Sequence, residues 1–150
     1  NLPRSRSPAD PFSLPPGPMS DRIAIKTDQA PGAIGPYNQA IVAGGFVHCS
    51  GQVAFIPETM EIVEGGVAEQ AEQVMANLGA VLEAAGSSFA LAVKCTIYLK
   101  DMGDFATVNE IYGRAFDCAE PPARVTIEAA RLPKDVLVEI DCLALAGPGS

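Results

Sequence analysis

Two ionisable residues in the C-terminal half, Arg124 and Glu139, could supply one fixed cation and one carboxylate to a cleft that binds a small anion. Each lies in a run of alternating apolar and polar residues, which is typical of a strand with one buried face. Because successive side chains of a strand point to opposite faces, the pattern predicts that Arg124, Glu139 and Ser50 share the face turned away from the core. A planar guanidinium binds a carboxylate through two parallel hydrogen bonds. We therefore expect a cleft for a small carboxylate there, with an ion pair of Arg124 to Glu139 or Asp141 as the structural alternative.

The same alternation assigns more side chains to this outward face, which we call the open face. It is expected to carry Arg124, Thr126 and Glu128 from one run, His48, Ser50 and Gln52 from a second, and Glu139 and Asp141 from a third. Val125 and Ile127 are expected to face the core.

Three other polar residues have plain structural interpretations beside their functional ones. His48 and Ser50 are two apart on a strand, about 6.6 Å, which is too far for a direct hydrogen bond and argues against a serine hydrolase. Tyr37 follows Gly35-Pro36 and either fills a turn or lines a pocket. Asn109 either faces solvent on a helix or reaches a neighbouring subunit's cleft.

The elements that position these residues follow from periodicity. Alternating or apolar runs predict strands over 22–26, 38–43, 46–55, 93–99, 123–129 and 137–145. Apolar stripes of helical period predict helices over 67–85 and from Asp104 to about residue 116. The order β, β, β, α, β, α, β, β indicates an α+β single domain with a mixed sheet of five or six strands and two helices on one face.

Two helices leave the other face of such a sheet uncovered. The side chains expected on it include Phe46, Leu137, Leu143 and Leu145, and apolar residues on an open face predict an oligomer. A monomer with a partly apolar sheet is the alternative.

Composition excludes several classes of protein. Lys and Arg number 10 and Asp and Glu 18, so the net charge is −8, which argues against nucleic-acid binding. One histidine and four widely spaced cysteines do not form a zinc motif. Cys49, Cys95 and Cys142 lie in apolar runs and are expected to be buried free thiols of a reducing compartment. No apolar run approaches the roughly 18 residues of a membrane span.

The N-terminus differs from the rest of the chain. Residues 1–19 form a Pro-rich tail with two arginines and several serines, typical of the end of a transit peptide or of an appended non-native segment. We expect a domain over 20–146, a short tail over 147–150, and a cytoplasmic location, or a mitochondrial or plastid one if the N-terminal tail is a transit peptide.

Short motifs spread over residues 22–145 carry a family resemblance. They include Ala33-Ile34-Gly35-Pro36-Tyr37-Asn38-Gln39-Ala40, Ser50-Gly51-Gln52, Asp104-Phe105-Ala106-Thr107-Val108-Asn109, Pro122-Ala123-Arg124, Leu132-Pro133-Lys134-Asp135 and Val138-Glu139-Ile140. In order and spacing these motifs resemble the RidA/YjgF family of enamine/imine deaminases.

The resemblance implies a chorismate-mutase-like homotrimer with sites in clefts between subunits. It implies a 2-iminobutanoate/2-iminopropanoate deaminase that hydrolyses 2-aminoacrylate and related enamines, through their imine tautomers, to 2-keto acids and ammonia. It implies no metal and no organic cofactor, and 2-imino and 2-keto acids as small-molecule partners. Some relatives are instead described as nucleases or translation inhibitors. A non-catalytic carboxylate-binding or chaperone-like protein is the other alternative.

Individual residues match the family's site. Its carboxylate-binding arginine matches Arg124, and its water-positioning glutamate matches Glu139. Its pocket tyrosine and strand serine match Tyr37 and Ser50. Asn109 and backbone N–H groups near Gly51 or Thr126 are further candidates for substrate contacts. Many members carry cysteine where this chain has Thr126, so a cysteine nucleophile is excluded at that position, whereas a water mechanism is not.

Overall fold

The computed structural model describes residues 21–117 and 119–147, so the N-terminal tail, Cys118 and the last three residues lie outside the described residues. Six strands and two longer helices occur in the predicted order. They are β1 (Ile23–Ile25), β2 (Ala40–Ala43), β3 (Phe46–Gln52), α1 (Val67–Ala84), β4 (Ala92–Leu99), α2 (Phe105–Arg114), β5 (Ala123–Glu128) and β6 (Val138–Leu145). Single turns of 3-10 helix lie at Phe89–Leu91, Met102–Asp104 and Pro133–Asp135.

The strands form one mixed sheet in the order β1-β2-β3-β6-β4-β5. Neighbours are antiparallel except β4 and β5, which run parallel because α2 crosses between them. Both helices pack on the same face, which confirms the expected α+β architecture. No helix in the described ranges is long and apolar enough to cross a membrane.

The core lies between the helices and one face of the sheet. The stripe on α1 buries Val74, Leu78, Val81 and Leu82 against Ile97, Leu99, Val138 and Ile140 of the sheet. Burying one such side chain contributes roughly 1.5–3 kcal/mol, so this layer fixes the sheet against the helices.

Three cysteines form a row in this core. Cys49 of β3 is in register with Cys142 of β6, which is in register with Cys95 of β4. All three are buried and free, as expected. Burial raises the pKa of the Cys49 thiol to about 12, so this thiol stays protonated at neutral pH.

β3 ends earlier than the alternation predicts. A β-bulge shifts its register against β6 between Cys49 and Gln52, and regular pairing stops at Gln52, not residue 55. The bulge inserts one extra residue and so reverses the alternation of faces. Gln52 lies opposite the core residue Ile140 and is buried, so its predicted place on the open face is wrong.

β5 has the opposite orientation to the predicted one. Arg124 and Thr126 are in register with the buried Cys95 and Ile97 of β4, and thus face the helices. Val125 and Ile127 face the open side, each 42% exposed. The prediction failed because β5 is an edge strand under the start of α2, where aromatic rings accommodate an arginine side chain.

Candidate active site

A cavity of about 310 Å³ lies where the loop before β2 meets the end of β3 and the start of β6. Its walls are mostly apolar, with a few polar groups. The residues that line it include Ile34, Tyr37, Ser50, Gly51, Phe55 and Glu139. An apolar cavity with few polar groups is the usual form of a small-molecule site.

Glu139 supplies the only carboxylate among the residues that line this cavity. Its side chain is half-buried, and burial, together with the nearby Asp141 carboxylate, raises the pKa of Glu139. Among the described residues, no group donates a hydrogen bond to it and no cation lies within 4.0 Å. Glu139 is therefore a free carboxylate with raised proton affinity, which suits a group that accepts a proton from water.

Gly51 lies directly beneath this carboxylate, in the bulge of β3. A Cβ atom at Gly51 would collide with the Glu139 carboxyl group, whose Cδ would be 3.0 Å away. The glycine thus allows the carboxylate to lie against the backbone of β3.

Tyr37 and Ser50 are both tied to the loop before β2. The Tyr37 hydroxyl accepts a hydrogen bond from the Ile34 N–H (3.2 Å), so this ring closes a turn and lines the cavity. The Ser50 hydroxyl donates to the Asn38 carbonyl (2.6 Å). Because the Ser50 hydroxyl proton is used in this bond, the hydroxyl can only accept a hydrogen bond from a ligand. His48 is exposed and forms no hydrogen bond with Ser50, which agrees with the absence of a hydrolase pair.

Buried amides that the sequence reasoning missed fix the cavity walls. The Gln39 side chain donates to the Pro31 carbonyl (2.8 Å) and accepts from the Thr27 N–H (2.7 Å). Asn77 of α1 donates to the carbonyls of Val53 (3.1 Å) and Phe55 (2.9 Å). The signal for Asn77 was present, because it is an amide within the apolar stripe of α1.

Arg124 lies on the other face of the sheet from this cavity. Its Nη1 donates a hydrogen bond to Asn109 Oδ1 (2.6 Å). The guanidinium carbon Cζ lies 5.5 Å from the centre of the Phe105 ring and 5.1 Å from the centre of the Tyr112 ring. Within the described ranges it forms no salt bridge, so the alternative of an ion pair with Glu139 or Asp141 is wrong. Asn109 is exposed, but it orients Arg124 instead of facing only solvent.

Thr126 lies two residues along β5, close to Asn109 and Phe105. Its hydroxyl oxygen is buried without a hydrogen-bond partner. Together, Arg124, Asn109 and Thr126 form a small cationic patch at the edge of the sheet.

The prediction that Arg124 shares a face with Glu139 and Ser50 is therefore wrong within one chain. Arg124 belongs to the row of Cys95 and Cys142, which faces the helices. Glu139 pairs across the sheet with Tyr98, on the open face. The structure brings Tyr37, Ser50, Gly51 and Glu139 together as one half-site, and Arg124, Asn109 and Thr126 as another.

The chemistry available differs between the halves. The first offers a proton acceptor beside an apolar cavity, and the second offers a cation with guanidinium donors left unused by Asn109. In the part of the chain that the structure describes, no cluster of three or more His, Cys, Asp or Glu side chains could hold a metal ion.

Known proteins match the chain over nearly all of this domain. Residues 27–146 match the family model described as endoribonuclease L-PSP. A RutC family protein of Synechocystis is 60% identical over 122 residues, which cover 81% of this chain and 94% of that protein. Human 2-iminobutanoate/2-iminopropanoate deaminase is 46% identical over 127 residues, covering 85% of this chain and 92% of that protein. The crystal structure of E. coli TdcF with bound serine superimposes with a TM-score of 0.79 at 42% identity, covering 83% of this chain and 99% of that one. The resemblance read from the motifs is confirmed: this chain belongs to the RidA/YjgF/RutC family.

Proposed function

We propose that this protein is a 2-imino acid deaminase of the 2-iminobutanoate/2-iminopropanoate type, which hydrolyses imines formed from 2-aminoacrylate and related enamines. The observation that carries the proposal is a pair of oppositely charged groups, each without an ionic partner among the described residues. Arg124 is a stacked guanidinium with spare donors, and Glu139 is a half-buried carboxylate beside a cavity. These are the two groups needed to bind a 2-imino carboxylate and to take a proton from water. The name of the human relative agrees with this assignment.

The complete site in this proposal forms between two copies of the chain. One chain holds the two groups on opposite faces, so Arg124 of one copy must meet Glu139 of another. The exposed apolar residues Val125, Ile127 and Leu145 give the open face and its edge a surface to bury in such a contact. A head-to-tail contact closes into a ring of three when successive copies are related by a third of a turn, which is the homotrimer that the family resemblance implies.

The reaction follows from the two groups. Arg124 binds the substrate carboxylate and holds the protonated imine at the mouth of the cavity. Glu139 accepts a proton from water as the water oxygen bonds to the imine carbon, which gives a carbinolamine. Glu139 then returns that proton to the nitrogen, the C–N bond breaks, and the hydroxyl oxygen becomes the carbonyl oxygen while its proton leaves with the ammonia. One protonated imine and one water thus give one 2-keto acid and one ammonium ion.

The test couples an L-amino-acid oxidase, which generates 2-imino acids, to semicarbazide capture. The protein is expected to suppress semicarbazone formation by hydrolysing the imine first. Arg124→Ala and Arg124→Lys should each lower kcat/KM by about 100-fold or more, because a bidentate charged contact is lost, while the oligomer stays intact. Arg114→Ala, which removes an exposed arginine paired with Glu72 and Glu110, is the matched control and should leave kcat/KM unchanged.

The alternatives give different results in the same assay. Stable binding of 2-ketobutyrate with no effect on semicarbazone formation would indicate a binding protein. RNA cleavage that survives Arg124→Ala and repeated purification would indicate a nuclease, for which the net charge of −8 is unfavourable.

A further inference from the structure

Asp141 is the second carboxylate on the open face of β6, two residues from Glu139. That spacing on a strand corresponds to about 6.6 Å along the chain, which is within the roughly 8 Å screening length of physiological salt, so the two negative charges repel each other. Asp141 does not line the cavity that Glu139 lines. The two carboxylates therefore differ in access to a substrate although they share a face.

The two carboxylates also differ in their hydrogen bonds. Asp141 Oδ1 accepts from the Thr96 N–H (2.9 Å), and Oδ2 accepts from the Tyr98 hydroxyl (3.3 Å). These two hydrogen bonds hold the Asp141 carboxylate in place beside β4. Burial and the Asp141 carboxylate raise the pKa of Tyr98, so its hydroxyl stays protonated and remains a donor. Glu139 has no such donor among the described residues, and burial together with the Asp141 carboxylate raises the pKa of Glu139.

Within one chain, the charged and titratable groups around the pair do not neutralise it; the proposed function adds Arg124 of the neighbouring copy, whose charge is the same in wild type and in an Asp141 variant. On the open face, β3 presents His48, and β4 presents Lys94 and Tyr98. Across the cavity lie Tyr37 and the turn that carries the exposed Lys134 and Asp135. Within residues 21–117 and 119–147, none of the cations lies within 4.0 Å of either carboxylate.

We propose that Asp141 is a positioning residue for the reaction: its charge, held in place by Thr96 and Tyr98, lets Glu139 both accept the proton from water and return it to the leaving nitrogen. This inference rests on the proposed deaminase function. A carboxyl group whose pKa is raised by burial and by a neighbouring negative charge is a candidate acid and base. Asp141 itself contacts neither substrate nor water in this proposal.

The test is the pH dependence of kcat/KM for imine hydrolysis in wild type and Asp141→Asn. The amide oxygen keeps an acceptor for the Thr96 N–H, so the substitution removes mainly charge. Since Glu139 must be ionised to accept a proton, and loss of the neighbouring charge lowers its pKa, the acid limb of the profile should move to lower pH. Asp117→Asn, which removes the same charge from an exposed residue beyond α2, is the control and should leave the profile in place. Tyr98→Phe keeps the carboxylate and should shift the limb less than Asp141→Asn.

A direct titration of the Glu139 carboxyl carbon by NMR separates this inference from the proposed function. A matching downward shift in the NMR titration and in the acid limb supports the inference. Hydrolysis with an unmoved acid limb in Asp141→Asn overturns it, whether or not the NMR titration shifts. No imine hydrolysis by the wild-type protein would overturn the proposed function instead, and an unshifted NMR titration would then also reject the electrostatic coupling. If Asp141→Asn does not fold, Asp141→Ser, which also removes the charge and keeps an oxygen near the Thr96 N–H, replaces it: a downward shift of the acid limb supports the inference, and an unmoved limb overturns it.

Discussion

The contact between Gly51 and Glu139 shows how one missing side chain shapes the candidate site. The carboxyl group lies where a Cβ atom of residue 51 would be, and the β-bulge brings this part of β3 beneath it. A residue other than glycine must push the carboxylate away from the strand. The position of the proton acceptor therefore depends on residue 51 as well as on Glu139.

Gly51→Ala should lower kcat/KM for imine hydrolysis by about tenfold or more, because overpacking of this kind costs about 1–3 kcal/mol or displaces the carboxylate. Steady-state kinetics together with a thermal melt measure the two outcomes. Gly113→Ala is the matched control, since a Cβ atom there meets no atom within 4 Å on the surface of α2. The control should retain activity and gain a few tenths of a kcal/mol up to about 1 kcal/mol of stability. Full activity in Gly51→Ala would contradict the proposed position of Glu139.

Thr126→Cys should be tolerated. The Thr126 hydroxyl has no hydrogen-bond partner in the described structure, so its replacement by a thiol loses no bond. The two side chains are close in volume, and such exchanges in a packed site usually cost less than about 1.5 kcal/mol. Activity within a few-fold of wild type is the expected result of the oxidase-coupled assay. A large gain in rate would show that the residue takes part in the chemistry.

At the scale of elements, strand alternation predicted the faces correctly along β6 and along β3 as far as Ser50, where the side open to solvent alternates with a buried side. It placed Glu139 and Asp141 on the open face of β6, and His48 and Ser50 on that of β3. It failed for Gln52, because the β-bulge inserts one residue and reverses the faces of the strand. The local amino-acid composition gives no signal for this bulge. It failed for Arg124 because an edge strand carries polar and apolar residues on both faces, and the aromatic rings that cover the arginine come from α2, far away in sequence.

The α1 helix holds the cavity wall through the buried amide of Asn77. Asn77→Ala should lower the free energy of unfolding by about 2–4 kcal/mol, since the carbonyls of Val53 and Phe55 would lose their donor inside the protein. KM should also rise, because both residues line the cavity. Chemical denaturation and steady-state kinetics measure these effects. Glu83→Ala, which truncates an exposed residue on the same helix, should change neither quantity. An unchanged KM in Asn77→Ala would mean that the cavity wall is fixed by other contacts.

At the scale of the whole molecule, the proposed function requires a contact between copies. Among the described residues, the Arg124 guanidinium on one side of the β5 edge and the Glu139 carboxylate on the other face each lack an ionic partner, and exposed apolar residues lie nearby. No rearrangement within one chain unites these groups, because they are fixed on opposite sides of the same hydrogen-bonded sheet. A second copy in a head-to-tail arrangement can place the arginine of one chain at the cavity of the next.

Subunit mixing tests this arrangement directly. Arg124→Ala and Glu139→Gln should each be inactive alone. In assemblies formed at random from equal amounts of the two variants, an interface is intact when the arginine comes from one variant and the glutamate from the other. About a quarter of the sites in a closed ring meet that condition, so about a quarter of wild-type kcat should return.

A site built within one chain would return no activity, since every chain then lacks one of the two groups. The double variant mixed with either parent is the control and should stay inactive, and native mass spectrometry establishes that subunits have exchanged. Exchange without recovered activity would contradict a site shared between copies.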